Sequence, residues 1–132
     1  FEWVDEGGPK KQPYLIRRRD RGAILCAAIG QYPNAEHGPS EDDGFVIITA
    51  DSEGGMVDVH DRRPVSLSAQ LAGEWLDPAT PMERAEQMAL LQGEPTEAFE
   101  WFQVDRAVGN VRNQGPHLIR PVEEGPISGS LF

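Results

Sequence analysis

The sequence predicts an α+β fold, and three observations predict it. Short β-branched and aromatic runs punctuated by glycine and proline recur along the chain, as strands joined by turns do. Two central segments, 69–76 and 81–91, carry helix start and stop signals instead. The 132 residues fit one domain, by the usual range of roughly 100 to 200 residues.

Gly7-Gly8-Pro9 breaks the chain after Trp3-Val4, and Pro13-Tyr14-Leu15-Ile16-Arg17 then reads as a strand, so Glu2 is expected in a hairpin with it. Arg21-Gly22 turns into the apolar run Ala23 to Ile29, whose length and flanking glycines predict a buried strand holding Cys26 as a small hydrophobe. Gln31 to Gly44, with Pro33, Asn34, Gly38, Pro39, Ser40 and three acids, reads as a surface loop that includes His37. Phe45 to Ala50 predicts a strand covered on both faces. Ser52 to Gly55 turns the chain back, so Met56 to His60 is expected as the returning strand, ending where Pro64 follows Arg62 and Arg63. That pairing would bring Thr49 near the level of His60.

Ser68 predicts an N-cap for a helix over Ala69 to Leu76, with Leu71, Trp75 and Leu76 inward and Asp77-Pro78 as its stop. Thr80-Pro81-Met82-Glu83 has the form of a capping box with proline at the first helical position, starting a helix that Gly93 ends. Phe99 to Val104 reads as a strand whose aromatic rings belong in a core, because no basic residue interleaves with them as a base-stacking platform would require. Arg106 to Gly115 admits two readings: a loop whose Asn and Gln amides brace the backbone, or a phosphate contact through Arg106 or Arg112. The acidic, glycine-containing stretch Glu123 to Phe132 is expected to be mobile.

A net charge of −10 argues against a general nucleic-acid binder, since phosphate contacts need a basic surface. The distribution leaves room for a local cationic face: Lys10, Lys11, Arg17, Arg18, Arg19 and Arg21 crowd the beginning, and Arg62 and Arg63 flank His60. A single cysteine excludes an internal disulfide and a cysteine metal cage, and suits a reducing compartment. No apolar run approaches the ~20 residues of a membrane span. The sequence therefore predicts a soluble cytoplasmic protein with neither cofactor nor metal.

Val57-Asp58-Val59-His60-Asp61-Arg62-Arg63-Pro64 concentrates the chemistry. A histidine between carboxylates and guanidinium groups suits proton transfer near neutral pH. The same residues also read as a solvated ion-pair cluster at a strand end, and charge clusters there are common.

Phe1-Glu2-Trp3, Lys11-Gln12-Pro13-Tyr14, Phe45 to Ala50, Val57 to Pro64 and Arg106 to Gly115 together resemble the SOS-response-associated peptidase (SRAP) family, in the family's order and from Phe1 to about Val122. The resemblance implies a mixed, strongly curved sheet, bifurcated or barrel-like, with peripheral helices. It implies that residues 1–122 are the C-terminal portion of one SRAP domain whose N-terminal part lies outside this sequence, with 123–132 a tail. Proteins of this family capture abasic sites in single-stranded DNA through a cysteine exposed by removal of the initiator Met, its α-amine and thiol closing a thiazolidine on the sugar aldehyde. The likeness assigns catalytic roles to Glu2 and His60 and DNA contacts to Trp3, Thr49 and Arg62, to which Arg106 and Arg112 are added as phosphate candidates. Burial against aromatic surface favours the protonated form of a carboxylate, so Trp3 beside Glu2 is a candidate tuning group.

The expected partner is single-stranded DNA bearing abasic sites, bound by a monomer that is nucleoid-associated if the source is bacterial. These 132 residues alone should be inactive, because the nucleophile is not among them. Two other readings stay open. A self-processing peptidase would use the same Glu2 and His60, although the chain has neither a nucleophile-elbow serine nor a His-Glu-x-x-His motif. A non-catalytic interaction domain would suit the acidic composition.

Overall fold

The computed structural model describes residues 1–122. Its elements run β1 (Glu2–Val4), β2 (Gln12–Arg18), β3 (Leu25–Cys26), β4 (Ala28–Gln31), β5 (Gly44–Ile47), β6 (Thr49–Asp51), β7 (Arg62–Pro64), β8 (Ser66–Leu67), α1 (Ala69–Leu76), α2 (Met82–Leu91) and β9 (Phe99–Gln103). The α+β class is as the patterning predicts. Every ladder among the described residues is antiparallel, and no closed barrel forms among them: the strands make one three-stranded and three two-stranded sheets.

The first sheet has the order β1-β2-β9. Its hairpin places Glu2 opposite Tyr14 and Trp3 opposite Pro13, as the turn at Gly7 predicts. Gly7 adopts φ +83°, a conformation open to glycine at no steric cost.

The other strands meet at a branch point. Three extended segments, 25–31, 44–51 and 62–67, each pair with one neighbour before the branch and with the other after it. At the crossing, Ala27 N donates to Val65 O at 2.8 Å, Val65 N to Ile48 O at 2.9 Å, and Ile48 N to Ala27 O at 2.9 Å. This closed ring of three backbone bonds satisfies groups that the change of partner would otherwise leave open. Ala27, Val65 and Leu67 are buried there, with Ile48, Ala50, Leu71, Ala72 and Trp75 packed around them. Trp75 Nε1 donates to Ala28 O at 3.0 Å, which docks α1 onto the branch.

Several expectations are corrected. The run Ala23 to Ile29 is a broken strand of which Ala27 alone is buried, and Cys26 is exposed; Val65 and Ile48 claim Ala27 at the crossing, and its apolar neighbours are left outside. Phe45 and Val46 are each 62 % exposed, so β5 is not covered on both faces. Met56 to His60 is not a strand. Gly54, at φ +57°, opens a 3₁₀ turn over Gly54–Asp58, and the returning strand begins at Arg62. Met56 and Val59 are the buried pair; their spacing of three is the one at which 3₁₀ side chains eclipse, whereas a strand would have sided Val57 with Val59.

Ser68 caps α1 as expected, its Oγ accepting from Leu71 N at 3.2 Å. Leu76 lies 79 % exposed rather than inward, since Leu71, Ala72 and Trp75 already fill the contact with the core. The capping box is not formed. Thr80 Oγ1 donates to Glu74 O at 2.6 Å, closing the end of α1, and Pro81 stands at the N-cap of α2 without a side-chain bond. The predicted tail Glu123 to Phe132 lies outside the described residues.

Candidate functional site

Glu2 projects from β1 into a cleft of about 640 Å³ between the three-stranded sheet and the branched strands. Phe1, Asp51, Glu53, Arg63 and Glu94 share its lining, among apolar groups such as Ile16, Met56 and Phe99. Trp3 follows Glu2 in a strand, where successive side chains point to opposite faces. Its indole instead meets the Phe1 ring, with centroids 6.3 Å apart at 51°, so the apolar surface near Glu2 comes from the cleft walls rather than from Trp3.

His60 follows the 3₁₀ turn and precedes β7. Its Nδ1 lies 2.7 Å from Arg62 O and receives Arg62 N–H at 3.0 Å, with Asp61 Oδ1 at 3.4 Å. These contacts all fall on one ring nitrogen, and the side chain is 46 % exposed.

Arg62 and Thr49 share one face of the β6–β7 ladder. Arg62 Nη2 donates to Thr49 Oγ1 at 2.8 Å and to Thr49 O at 3.0 Å, and Nη1 donates to Asp51 Oδ1 at 2.7 Å. Arg63, one residue on, points the other way. Its Nη1 donates to Thr96 Oγ1 at 3.1 Å and its Nη2 lies 3.6 Å from Glu53 Oε2, an internal anchor. The cations therefore pair with Asp51 and Glu53, whereas the sequence points to Asp58 and Asp61 as their partners.

The predicted residues thus fall into two groups. His60, Thr49 and Arg62 sit together on β6–β7 and its entry, and Glu2 sits in the adjoining cleft; Asp51 belongs to both. The sequence reading missed Asp51, although its place two residues after Thr49 on one strand face was the available signal. Arg106 and Arg112 lie elsewhere. Both are exposed in the loop after β9, neither lines the cleft, and the loop is braced by Asn113 Nδ2 donating to Ala107 O at 2.9 Å and by Arg112 N donating to Asn110 Oδ1 at 3.0 Å. Cys26 lines the cleft, and desolvation pushes its thiol pKa up, which disfavours the nucleophilic thiolate. Among the described residues no three His, Cys, Asp or Glu groups gather as metal ligands, and no helix is long and apolar enough to cross a membrane.

The chain is 48 % identical over 122 residues to the abasic site processing protein YedK of Escherichia coli, covering 92 % of this chain and 54 % of that protein. It is 34 % identical over 128 residues to an abasic site processing protein of Saccharomyces cerevisiae, covering 92 % and 33 %. The chain thus spans about half or less of these relatives. Among solved structures, a phage-related protein from Bordetella bronchiseptica superposes with a TM-score of 0.63 at 44 % identity, over 80 % of this chain and 49 % of that one. A protein from Bacteroides thetaiotaomicron, at 24 % identity, shares the fold with a TM-score of 0.69 over 93 % of this chain and 53 % of that one. The family model for SOS response associated peptidase (SRAP) matches residues 1–111, which take in Glu2, Thr49, His60 and Arg62, and the chain belongs to that family.

Proposed function

We propose that this chain is the C-terminal part of a single SRAP domain, residues 1–122, that processes abasic sites in single-stranded DNA by covalent capture. The observation that carries the reading is the cluster on β6–β7: an imidazole pinned through Nδ1 to the Arg62 main chain beside a guanidinium of the kind that holds phosphate. The names of the Escherichia coli and Saccharomyces cerevisiae relatives, matched over 92 % of the chain, support it. In the complete domain we expect the separate ladders to belong to one strongly curved sheet.

The reaction needs an amine and a thiol on one residue. The α-amine of an N-terminal cysteine, freed by removal of the initiator Met, attacks C1′ of the ring-opened sugar. The carbinolamine loses its oxygen as water to give an imine, and the thiol sulfur adds to the same carbon while its proton passes to the nitrogen, leaving a thiazolidine. Cys26, inside the chain, has no free α-amine and cannot close that ring. Glu2 exchanges the proton of the attacking amine, and His60, through Nε2, assists ring opening and protonation of the departing oxygen. Arg62 contacts a flanking phosphate, Thr49 orients that guanidinium, and Trp3 offers an exposed stacking surface. Arg106 and Arg112 are phosphate contacts further along the strand.

The test is incubation of the full-length protein with single-stranded DNA carrying one abasic site, followed by denaturing electrophoresis. A covalent band is expected, abolished by changing the cysteine after Met to Ala and formed about 10²-fold more slowly in Glu2→Gln or His60→Ala. No band with the processed cysteine present would refute the capture reading. A band formed at the wild-type rate in both variants would refute the roles of Glu2 and His60. The family description favours a second reading, self-cleavage of the Met-Cys bond by the same two residues, which His60→Ala would reveal as retained Met by mass spectrometry.

A further inference from the structure

Asp51 is the residue that belongs to both groups of the site. It lines the cleft that holds Glu2, and its Oδ1 accepts from Arg62 Nη1 at 2.7 Å. Strand register enforces the pairing, because Asp51 lies opposite Arg62 in the β6–β7 ladder and opposite residues on one face are within reach of each other. Thr49 falls on the same face and takes two hydrogen bonds from Arg62 Nη2. Three hydrogen bonds to the protein itself thus occupy a group with only five N–H donors. A guanidinium recognises phosphate by offering two parallel N–H bonds, and here a carboxylate already holds one terminal nitrogen.

We propose that Asp51 is a positioning residue that competes with a nucleic-acid phosphate for Arg62. In the free protein it keeps the guanidinium folded onto β6; when a backbone phosphate docks, the phosphate oxygens replace the carboxylate while Thr49 stays in contact with the second nitrogen. The inference rests on the reading of Arg62 as a phosphate contact. The exchange is easy because the Asp51 side chain is 88 % exposed and Arg62 is 47 % exposed, so water replaces what the carboxylate loses and the pair itself is weak. The competition holds intact strands loosely, so that retention depends on covalent capture rather than on affinity for the backbone.

The test is a double-mutant cycle on the full-length protein, with binding of an intact single-stranded oligonucleotide followed by fluorescence anisotropy at several salt concentrations. Asp51→Asn keeps an acceptor for Arg62 and removes its charge. It should tighten Kd about 2- to 5-fold at low salt, less at high salt where the charges are screened. The same change made in an Arg62→Gln background should leave Kd unaltered, and Asp51→Glu should return binding toward wild type. An equal gain with and without Arg62 would mean that Asp51 acts only as one more repelling charge, and would overturn the proposal. So would an unchanged or weakened Kd in Asp51→Asn when its thermal midpoint matches wild type, or an affinity below detection in all variants. An abasic-site oligonucleotide run in parallel separates the two ideas. A covalent band without Arg62 coupling retires the role of Asp51 alone, and coupling without a band retires the capture reaction alone.

Discussion

Arg18 stands between two carboxylates that reach it from different parts of the chain. Its Nε and Nη2 donate to the two oxygens of Asp20 at 2.9 Å and 2.8 Å, while Nη1 pairs with Glu94, which also accepts from Ser66 Oγ at 2.8 Å. One guanidinium therefore ties β2 to the loop after α2 and, through Ser66, to the branched strands. Its hydrogen bonds, with a further one from Gly22 N at 2.8 Å, lower the Asp20 pKa from 3.8 to about 2. The folded value lies below the unfolded one, so the stabilisation is fully present above about pH 4 and is lost as pH falls toward 2. Thermal midpoints measured from pH 5 down to pH 2 should fall less steeply in Asp20→Asn than in wild type. Equal slopes would show that the bidentate contact does not persist in solution. The carboxyls of Glu74 and Glu100, lowered by Arg84 and Arg17, act in the same direction and will keep the remaining slope above zero.

At the scale of elements, Gly30 shows what the branch demands. A Cβ built there would stand 2.2 Å from Gly44 O and 2.8 Å from the Phe45 Cα, both backbone atoms of the partner strand that cannot swing away. Gly30→Ala should force β4 and β5 apart and cost about 1–3 kcal/mol, read as a lowered thermal midpoint; an unchanged midpoint would mean that the two strands do not approach this closely. Elements with local signals were legible in the sequence: the Glu2 hairpin from its glycine turn, α1 from Ser68, and β9 from its aromatic run. Thr49 was expected near the level of His60, but the ladder sets it opposite Pro64, and the two are linked only through Arg62, whose main chain meets His60 and whose side chain meets Thr49. The reading put His60 on a strand, whereas β6 pairs with Arg62 to Pro64 and a 3₁₀ turn carries His60 to that ladder. Alternation in Val57 to His60 imitated a strand because Met56 and Val59 needed burial at a spacing of three. The branch itself was not legible, since which strand pairs with which is decided by long-range contacts and not by any five-residue pattern. Asp51 was half legible: its place two residues after Thr49 puts it on the same strand face, but its partner is set by the residue opposite.

Across the whole molecule, burial is uneven. The branch point and the contact of α1 close a small core around Ala27, Val65 and Leu67, while the β4–β5 hairpin leaves Ile29, Tyr32, Phe45, Val46 and Ile47 exposed. Ile29 and Val46 lie on one face of this ladder and Phe45 and Ile47 on the other, and so much exposed apolar surface on one unit is uncommon in monomers. They also sit on a two-stranded ladder, a unit that is marginal in water without further packing. The 132-residue chain should therefore bind a hydrophobic dye in its folded state. Replacing Phe45 by Ser together with Val46 by Lys should remove most of that signal, and because both side chains are 62 % exposed the thermal midpoint should move little, within about ±0.5 kcal/mol per site. Dye binding unchanged by the double substitution would place the accessible apolar surface elsewhere, with the cleft beside Glu2 the next surface to test. A large fall in midpoint would mean that the hairpin is packed in solution. The double substitution, which alters both faces, thus separates an open apolar hairpin, whose side chains contribute little to stability, from a packed one.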